Sequence, residues 1–343
     1  MKLQFFSGSP VRGQSPALAC PADHVLGGAW LRDSPAAPVR AWPLQAIPAR
    51  LLDDSQESVE EVWCCDTPCS SGTFEGINWR RTDGLLYGVL ELNEGEFSGP
   101  HPSSPLQAAS QTAYRRIFRL LEEQSLPNLW RVWNYLADIN RETNGLERYR
   151  QFNVGRQDAF LEFRRGATGN VPTACAIGLA GGPLRVAFMA GSVQAEPIEN
   201  PRQISAYNYP PEYGPRSPTF SRAALARLPE QEILFVSGTA SILGHRTVHP
   251  GDVVNQMRES LANIDTVVAE ANRLSRSGDY KLGELAYRVY LRHAADLAAI
   301  SEVLAPTLGN KTPITFIQAD ICRSDLLVEI EGVASHDLGS PPQ

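Results

Sequence analysis

The sequence lacks any hydrophobic run long enough to cross a membrane, and it contains few cysteines. A membrane helix needs about 20 consecutive apolar residues, and no segment reaches that length. The first thirteen residues, MKLQFFSGSPVRG, have no continuous apolar stretch of the kind found in signal peptides. Six cysteines are too few for a disulfide scaffold in a chain of 343 residues. We therefore expect reduced thiols, a cytoplasmic location and no membrane partner.

Motifs for common cofactors and nucleophiles are also missing. The segment WCCDTPC (63–69) has no matching second cysteine pair for zinc. There is no dinucleotide fingerprint and no Gly-x-Ser-x-Gly elbow. SGTASILGH (237–245) is rich in small residues but lacks the spacing of a phosphate loop. His245 and His249 are four residues apart, but Pro250 argues against a helix that would pair them on a metal. We expect no metal and no nucleotide.

Positive charge is not in excess. The chain has 31 Lys and Arg against 38 Asp and Glu, a formal net charge of −7. Nucleic acids and anionic membranes attract proteins through clustered Lys and Arg, so neither is expected to be the main partner. A small anionic substrate is compatible with this balance, because it needs only a few arginines in one pocket.

The residues that are present describe a soluble globular protein with an internal repeat. The apolar content of 43% and charged content of 20% are ordinary for such proteins, and the length suits two domains. The order of strand, polar loop, glutamine-led helix and aromatic strand occurs twice. The first copy consists of a strand at 85–92, a helix with Gln111 near its start and a strand at 130–139. The second consists of a strand at 233–243, a helix with Gln256 near its start and a strand at 287–291, and the segment 314–333 follows it.

The repeat predicts two related domains. We place the first at residues 1–148, with an N-terminal extension rich in Ala and Pro, and the second at 149–335. Within the extension, 51–63 is expected to be a short helix or a connecting segment. Residues 336–343 are expected to form a flexible tail.

The segment QISAYNYPPEYGPRSPTFSR (203–222) holds four prolines, three tyrosines and two arginines. Proline fixes φ and removes a backbone donor, so this segment is a poor strand and a poor helix. It could present Arg216 and Tyr207 to a planar carboxylate, because guanidinium offers a bidentate fork. Arg156 could be a second anchor. The alternatives are a solvated loop and an ordinary surface arginine, and both stay open.

Two other candidates lie near the C-terminus. Alternation along a strand places Val328 and Ile330 on one face and Glu329 and Glu331 on the other. Either both glutamates face water, or one of them lies in a partly apolar pocket. In such a pocket, desolvation would raise the pKa of that glutamate toward neutrality. Cys322 is either a nucleophile or a buried thiol.

Four segments resemble the chorismatase family, in particular its 3-hydroxybenzoate synthases. They are ERYRQFNVGR (147–156), SAYNYPPEYGPRSPTFSRA (205–223), FVSGTASILGH (235–245) and ICRSDLLVEIEG (321–332). The resemblance extends from about residue 85 to residue 333. It implies an α+β fold of two domains of the reactive-intermediate-deaminase, chorismate-mutase-like type, each a mixed sheet with helices on one face.

The resemblance also implies a substrate and a set of roles. Chorismate would be cleaved to pyruvate and 3-hydroxybenzoate, without cofactor. Glu329 matches the family's acid, which would protonate the enolpyruvyl ether. Arg156 and Arg216 would hold the carboxylates, with Tyr149 and Tyr207 as hydrogen-bonding partners.

Two positions bear on the product. Cys322 matches the family's aromatising branches, whereas Ala240 is more similar to the hydrolytic pattern, so 4-hydroxybenzoate as a second product stays open. The alternatives are a hydrolase that gives a dihydroxycyclohexadienoate, an imine deaminase and a non-catalytic carboxylate-binding protein. The resemblance leaves the oligomeric state as a monomer or a homotrimer.

Overall fold

A computed structural model describes residues 2–10, 15–53, 56–99, 103–166 and 168–338. In these residues the protein is an α+β molecule with three main sheets and four α-helices. None of the helices within these ranges is both long and apolar enough to span a membrane.

The N-terminal sheet contains four strands in the spatial order β1-β4-β2-β3. They are β1 (Leu3–Gly8), β2 (Val25–Arg32), β3 (Leu44–Pro48) and β4 (Val59–Cys65). The expectation of a short helix or a connection at 51–63 is wrong, because every residue of β4 is buried in this sheet. The pattern was hidden by Glu60 and Glu61, which are buried as ion-pair partners of Arg40 and Arg288.

The second sheet contains six strands in the order β11-β8-β12-β7-β6-β5, with two helices. In chain order the elements are β5 (Ser70–Phe74), β6 (Ile77–Arg81), β7 (Leu85–Leu92), α1 (Pro105–Glu123), β8 (Asn128–Ala137), the short ribbon β9 (Glu142–Thr143) and β10 (Leu146–Glu147), α2 (Arg148–Glu162), β11 (Thr173–Leu179) and β12 (Leu184–Gly191). Helix α1 begins at Pro105, after Ser104 accepts a hydrogen bond from the backbone of Gln107.

The third sheet also has six strands, in the order β13-β14-β15-β20-β18-β19. In chain order the elements are β13 (Glu196–Ile198), β14 (Ala223–Leu228), β15 (Gln231–Ala240), the ribbon β16 (Ile242–Leu243) and β17 (Arg246–Thr247), α3 (Val253–Leu274), β18 (Ala286–Leu291), α4 (Leu297–Leu308), β19 (Ile314–Gln318) and β20 (Val328–Asp337). Helices α3 and α4 contribute Met257, Ile264 and Ile300 to a core on one face of this sheet.

The predicted repeat is present. Strand β7, helix α1 and strand β8 form the first copy, and β15, α3 and β18 form the second. In each copy the helix lies on one face of its sheet, as the fold-class prediction stated. The segment 203–222 has two short 3-10 turns and no strand or α-helix.

The sheets do not divide at residue 148. Strands β11 and β12 follow that position, and they pair with β8 and β7 of the second sheet. Helix α2 packs against α1 on the same sheet. We therefore propose that the division between the two repeated units lies between Gly191 and Glu196.

The flexible tail predicted at residues 336–343 overlaps the end of strand β20. His336 and Asp337 belong to β20, where they pair with Glu232 and Gln231 of β15. Backbone pairing to a central strand orders these residues although their side chains are polar. Residues 339–343 of the predicted tail lie outside the described residues.

A common core lies between the three sheets. Its aromatic members include Trp63 of β4, Trp133 of β8, Phe235 of β15 and Tyr290 of β18. The N-terminal residues, whose role the sequence left open, therefore close this core with a sheet of their own. The second and third sheets meet through isolated bridges between Thr173 and Ser221 and between Gly178 and Asp320.

A disulfide corrects the expectation that all thiols are reduced. Cys20 and Cys64 are bonded, with their Cα atoms 6.4 Å apart. They are 44 residues apart in sequence, and β4 folds back to bring them together. The four remaining cysteines, Cys65, Cys69, Cys175 and Cys322, are free.

Candidate active site

A cavity of about 280 Å³ lies where the second and third sheets meet the proline-rich loop. Its walls come from the start of α2, the loop 209–222, the end of β15 and the segment that leads into β20. The lining residues are Glu147, Tyr149, Arg150, Tyr209, Tyr213, Pro218, Phe220, Arg222, Gly238, Ala240, Ile242, Cys322, Arg323, Ser324, Asp325 and Glu329.

Three carboxyl groups line this cavity, and Glu329 is the buried one, whereas Glu147 is half-buried and Asp325 is exposed. Glu329 is 3% exposed, and its strand neighbours Val328 and Ile330 are fully buried in the core on the other face of β20. The predicted alternation along this strand is therefore correct. The alternative in which the glutamates face water is wrong, because a third layer, formed by the other sheets, covers that face.

The environment of Glu329 favours the protonated carboxylic acid. Burial, and to a lesser extent the negative charge of Glu331, raise the pKa of Glu329 to about 8. The positive charge of Arg131 and a hydrogen bond with the thiol of Cys322 act against these two effects. At neutral pH this side chain holds a proton that it can donate.

Gly238 leaves room for the acid. The pairing of β15 with β20 is irregular between Val236 and Thr239, so Gly238 lies in a bulge. A Cβ atom added to Gly238 would lie 1.9 Å from Oε1 of Glu329. The absence of a side chain at this position is what allows the carboxyl group to occupy its place.

Glu331 has different surroundings, although it lies on the same face of the same strand. It forms ion pairs with Arg131 and Arg288, and it accepts a hydrogen bond of 3.0 Å from the hydroxyl of Tyr290. It does not line the cavity that contains Glu329. Of the two glutamates, only Glu329 is placed to meet a ligand there.

Three other predicted residues line the cavity beside Glu329. Burial raises the pKa of the Cys322 thiol, so the thiol is protonated and a poor nucleophile. Burial also raises the pKa of Tyr149, which keeps its hydroxyl as a hydrogen-bond donor. Ala240 is paired directly with Glu329 across the β15–β20 ladder.

The other three predicted residues are not among the lining residues. The Arg216 side chain is 45% exposed and forms an ion pair of 3.1 Å with Asp158. Tyr207 is half-buried in a 3-10 turn. Arg156 is 1% exposed, donates a hydrogen bond of 2.8 Å to Asn153, and lies over the ring of Phe152. The binding roles assigned to them stay predictions.

Three arginines that the sequence reasoning did not select line the cavity, and one of them, Arg150, is ion-paired with Glu147. Arg222 is buried and donates hydrogen bonds to the carbonyl of Ile204 and the hydroxyl of Tyr209. Arg323 lies over the rings of Tyr209 and Tyr213, at 5.2 and 4.2 Å from their centroids. Both were visible in the sequence, since Arg222 ends the tyrosine-rich segment and Arg323 follows Cys322.

The guanidinium groups of Arg222 and Arg323 have unused donors. Within the described ranges, neither Arg222 nor Arg323 has a carboxylate oxygen within 4.0 Å. Nε of Arg222 and Nη2 of Arg323 are buried without a hydrogen-bond partner. Glu199 is not ion-paired with Arg222, although it is near enough for the positive charge of Arg222 to oppose the rise that burial causes in its pKa. Buried guanidinium donors without partners are costly, so the cavity is suited to a ligand that supplies anionic oxygens.

The comparison with known proteins identifies the family. The family model described as "Chorismatase FkbO/Hyg5-like, N-terminal" matches residues 61–190. A chorismatase from Streptomyces hygroscopicus is 39% identical over 300 residues, which cover 85% of this chain and 83% of that protein. A 3-hydroxybenzoate synthase from the same species is 37% identical over 301 residues, which cover 82% of this chain and 83% of that protein.

A solved structure extends the similarity to the whole fold. The crystal structure of a chorismatase matches with a TM-score of 0.86 and 34% sequence identity. The match covers 97% of this chain and 98% of that chain. The N-terminal sheet is therefore part of a shared architecture.

Proposed function

This chain belongs to the chorismatase family, and from that premise we propose that it cleaves chorismate to 3-hydroxybenzoate and pyruvate. The proposal is supported by the names of the relatives, which are chorismatase and 3-hydroxybenzoate synthase. It is supported independently by the chemistry of the cavity.

One observation carries the proposal. A carboxylic acid that is neutral at physiological pH and two guanidinium groups with unpartnered buried N–H donors line the same cavity. Chorismate carries two carboxylates and an enol ether. Arg222 and Arg323 would hold the carboxylates, because a guanidinium group binds a carboxylate through two parallel hydrogen bonds. Glu329 would then lie beside the enol ether.

Glu329 would transfer its proton to the terminal methylene carbon of the enolpyruvyl group. The π electrons of the vinyl group form the new C–H bond, and the adjacent carbon becomes an oxocarbenium ion. As the bond between the ring and the ether oxygen breaks and pyruvate leaves, the neighbouring ring hydroxyl oxygen forms a bond to the same ring carbon, and its proton returns to the carboxylate of Glu329. The resulting epoxide opens at the carbon that first carried the hydroxyl, and the proton on the carbon that keeps the oxygen moves to that oxygen, which gives 3-hydroxybenzoate. Direct loss of a proton from the ring cation, with the hydroxyl left in place, gives 4-hydroxybenzoate instead. Chorismate contains every atom of pyruvate and hydroxybenzoate, so this reaction needs no further reactant. The protein supplies orientation and a proton.

The product depends on the atoms next to the acid. Cys322 hydrogen-bonds to Glu329 and Ala240 pairs with it across the ladder, so both positions flank the reacting carbon in this proposal. We propose 3-hydroxybenzoate as the main product and 4-hydroxybenzoate as a second one. A barrier difference of about 1.4 kcal/mol changes a product ratio tenfold, so Cys322→Ala is expected to change the ratio more than the total rate.

Purified protein incubated with chorismate tests the function directly. Release of pyruvate is followed continuously, and the ring product is identified by chromatography. The Glu329→Gln variant is the matched control, because it keeps the shape of the side chain and removes the acid. Pyruvate with an aromatic acid supports the proposal. Pyruvate with a non-aromatic acid would indicate the hydrolase, and no pyruvate would indicate a deaminase or a binding protein.

Arg156, Arg216 and Tyr207 are the predicted binding residues that do not line the cavity. Burial raises the pKa of Tyr149, and the positive charge of Arg156 partly opposes that rise. Arg156 is therefore close enough to Tyr149 to assist binding through it. Arg216 and Tyr207 would act on the substrate only if the proline-rich loop carries them into the cavity.

We also propose a monomer or a homotrimer, located in the cytoplasm. The common core of three sheets within one chain supports the monomer. The four free cysteines support a reducing compartment, whereas the disulfide does not. Light scattering and thiol titration of freshly isolated protein address these two points.

A further inference from the structure

A second cavity, of about 240 Å³, lies between the N-terminal sheet and the third sheet. Its walls come from β1, β4, β8, β15, β18, β19 and β20. No residue lines both this cavity and the one that contains Glu329. The two cavities nevertheless share strand β20, because Glu329 lines the first and Glu331 lines the second.

Five aromatic rings form much of the wall of the second cavity. They belong to Phe5, Trp63, Trp133, Phe235 and Tyr287. Trp63 lies 4.7 Å from Phe5 and 6.0 Å from Phe235 between ring centroids, in tilted arrangements. Tilted and edge-on contacts with such rings favour a further aromatic ring over an aliphatic chain.

The polar part of the wall is charged but balanced. Arg131 pairs with Glu331, and Arg288 pairs with Glu61, with Nε of Arg288 2.9 Å from Oε1 of Glu61. None of these four described side chains has a buried polar atom without a hydrogen-bond partner. Two positive and two negative charges leave no net charge for an ionic ligand to neutralise. Adding an ion here would bring a desolvation cost without a matching partner.

We propose that the second cavity binds a small, uncharged, planar aromatic compound of the phenol class. A cavity of about 150 Å³ in another protein is sufficient for benzene, and this one is larger. The aromatic wall supplies stacking surface, and the carboxylates of Glu61 and Glu331 can each accept a hydrogen bond from one hydroxyl. This site is separate from the cavity that contains Glu329, so its test does not depend on the proposed function.

The first experiment measures binding of phenol to the intact protein by saturation-transfer NMR. A ligand of this size is expected to bind with a dissociation constant on the order of 0.1–1 mM. Thr315→Trp places a large ring in the cavity from the edge strand β19 and should weaken binding at least tenfold. Thr307→Trp is the matched control, because the same change there lies on the exposed side of α4, away from both cavities.

A second filling variant and a second ligand protect the interpretation. Ser7→Trp fills the cavity from the opposite wall, so it gives the same loss if Thr315→Trp does not fold. Glu329→Gln should leave phenol binding unchanged. In the Thr315→Trp variant, the saturation-transfer signal of benzoate should fall less than that of phenol. Benzoate is an anion, and it is favoured only in the cavity lined by Arg222 and Arg323. The proposal is overturned if phenol does not bind, or if its binding survives both filling variants.

Discussion

Glu329 and Glu331 have the same chemical group, strand and face, yet the structure gives them different chemistry. Glu331 is surrounded by two arginines and a tyrosine hydroxyl. Glu329 is buried beside the negative charge of Glu331, so its pKa is raised to about 8 although Arg131 and the hydrogen bond with Cys322 oppose this rise. Local sequence cannot separate two such residues, because the groups that differ come from other sheets.

The pH dependence of the reaction follows from the protonation of Glu329. The acid is active when it carries its proton, which is the case below a pH of about 8. We expect kcat/KM to be level near neutrality and to fall about tenfold per pH unit above that value. A rate–pH profile of the wild type checks this. A rate that increases through pH 8 would mean that Glu329 acts as a base.

The raised pKa of Glu329 also makes the stability of the folded state depend on pH. Folding raises the pKa of Glu329 from its ordinary value of 4.5 to about 8, so the folded state binds this proton more tightly than the unfolded state. The stabilising contribution is fully present below the unfolded value and is lost as pH rises through the folded one.

The arginines give a prediction with a built-in control. Arg222→Lys should raise KM for chorismate at least tenfold, because an ammonium group cannot replace the bidentate fork. Arg216→Lys should change KM less than about twofold, since the Arg216 side chain is exposed and paired with Asp158. Steady-state kinetics of the two variants separates these expectations. The opposite order would restore Arg216 as the carboxylate anchor and remove Arg222.

At the scale of the element, strand β15 does more than pair with its neighbours. Its bulge places Gly238 against the carboxyl group of Glu329, while Ala240 returns to the ladder opposite the same residue. The bulge therefore sets the position of the acid from the neighbouring strand. The run of small residues at 237–241 is explained by this contact and not by a phosphate loop.

Gly238→Ala tests the bulge. The added Cβ would meet Oε1 of Glu329 at 1.9 Å, so the acid has to move, and we expect kcat to fall about 100-fold. Gly181→Ala is the control, because a Cβ there meets no atom within 4 Å. Kinetics and circular dichroism are measured together. A folded Gly238→Ala protein with normal kcat would show that the position of Glu329 is not critical.

At the scale of the whole molecule, the N-terminal sheet is a structural part of the protein and not an extension. It supplies Trp63 to the common core and Glu61 to the ion pair with Arg288 of the third sheet. The disulfide joins the segment after β1 to β4 of this sheet. It closes a loop within the sheet that completes the core.

Loss of this disulfide should destabilise the protein. Cross-linking over a loop of this length contributes about 2–4 kcal/mol, chiefly by restricting the unfolded chain. We expect dithiothreitol to lower the urea midpoint of the wild type and to leave the Cys20→Ser/Cys64→Ser variant unchanged. Urea unfolding with and without reductant checks both. An equal response of the two proteins would assign the effect of reductant to something other than this bond.

Much of the secondary structure could be predicted because it depends on local patterns. The apolar runs at 85–92 and 287–291 and the helical spacing of apolar residues after Gln256 are local patterns within one element. Strand β4 was missed because Glu60 and Glu61 interrupt its apolar pattern. Their partners, Arg40 and Arg288, are distant in sequence. A buried ion pair cannot be recognised from one of its members.

The sequence alone determined the family resemblance, the repeat, and the face of β20 on which Glu329 lies, since a strand's side chains alternate wherever it is placed. Only the tertiary structure decided that this face is buried and that Glu329, not Glu331, lines the cavity. It also decided that Arg222 and Arg323 line the same cavity without being ion-paired to a carboxylate of the described residues. Desolvation and charge pairing depend on distance in space, and the chain order of 222, 323 and 329 contains no such distance.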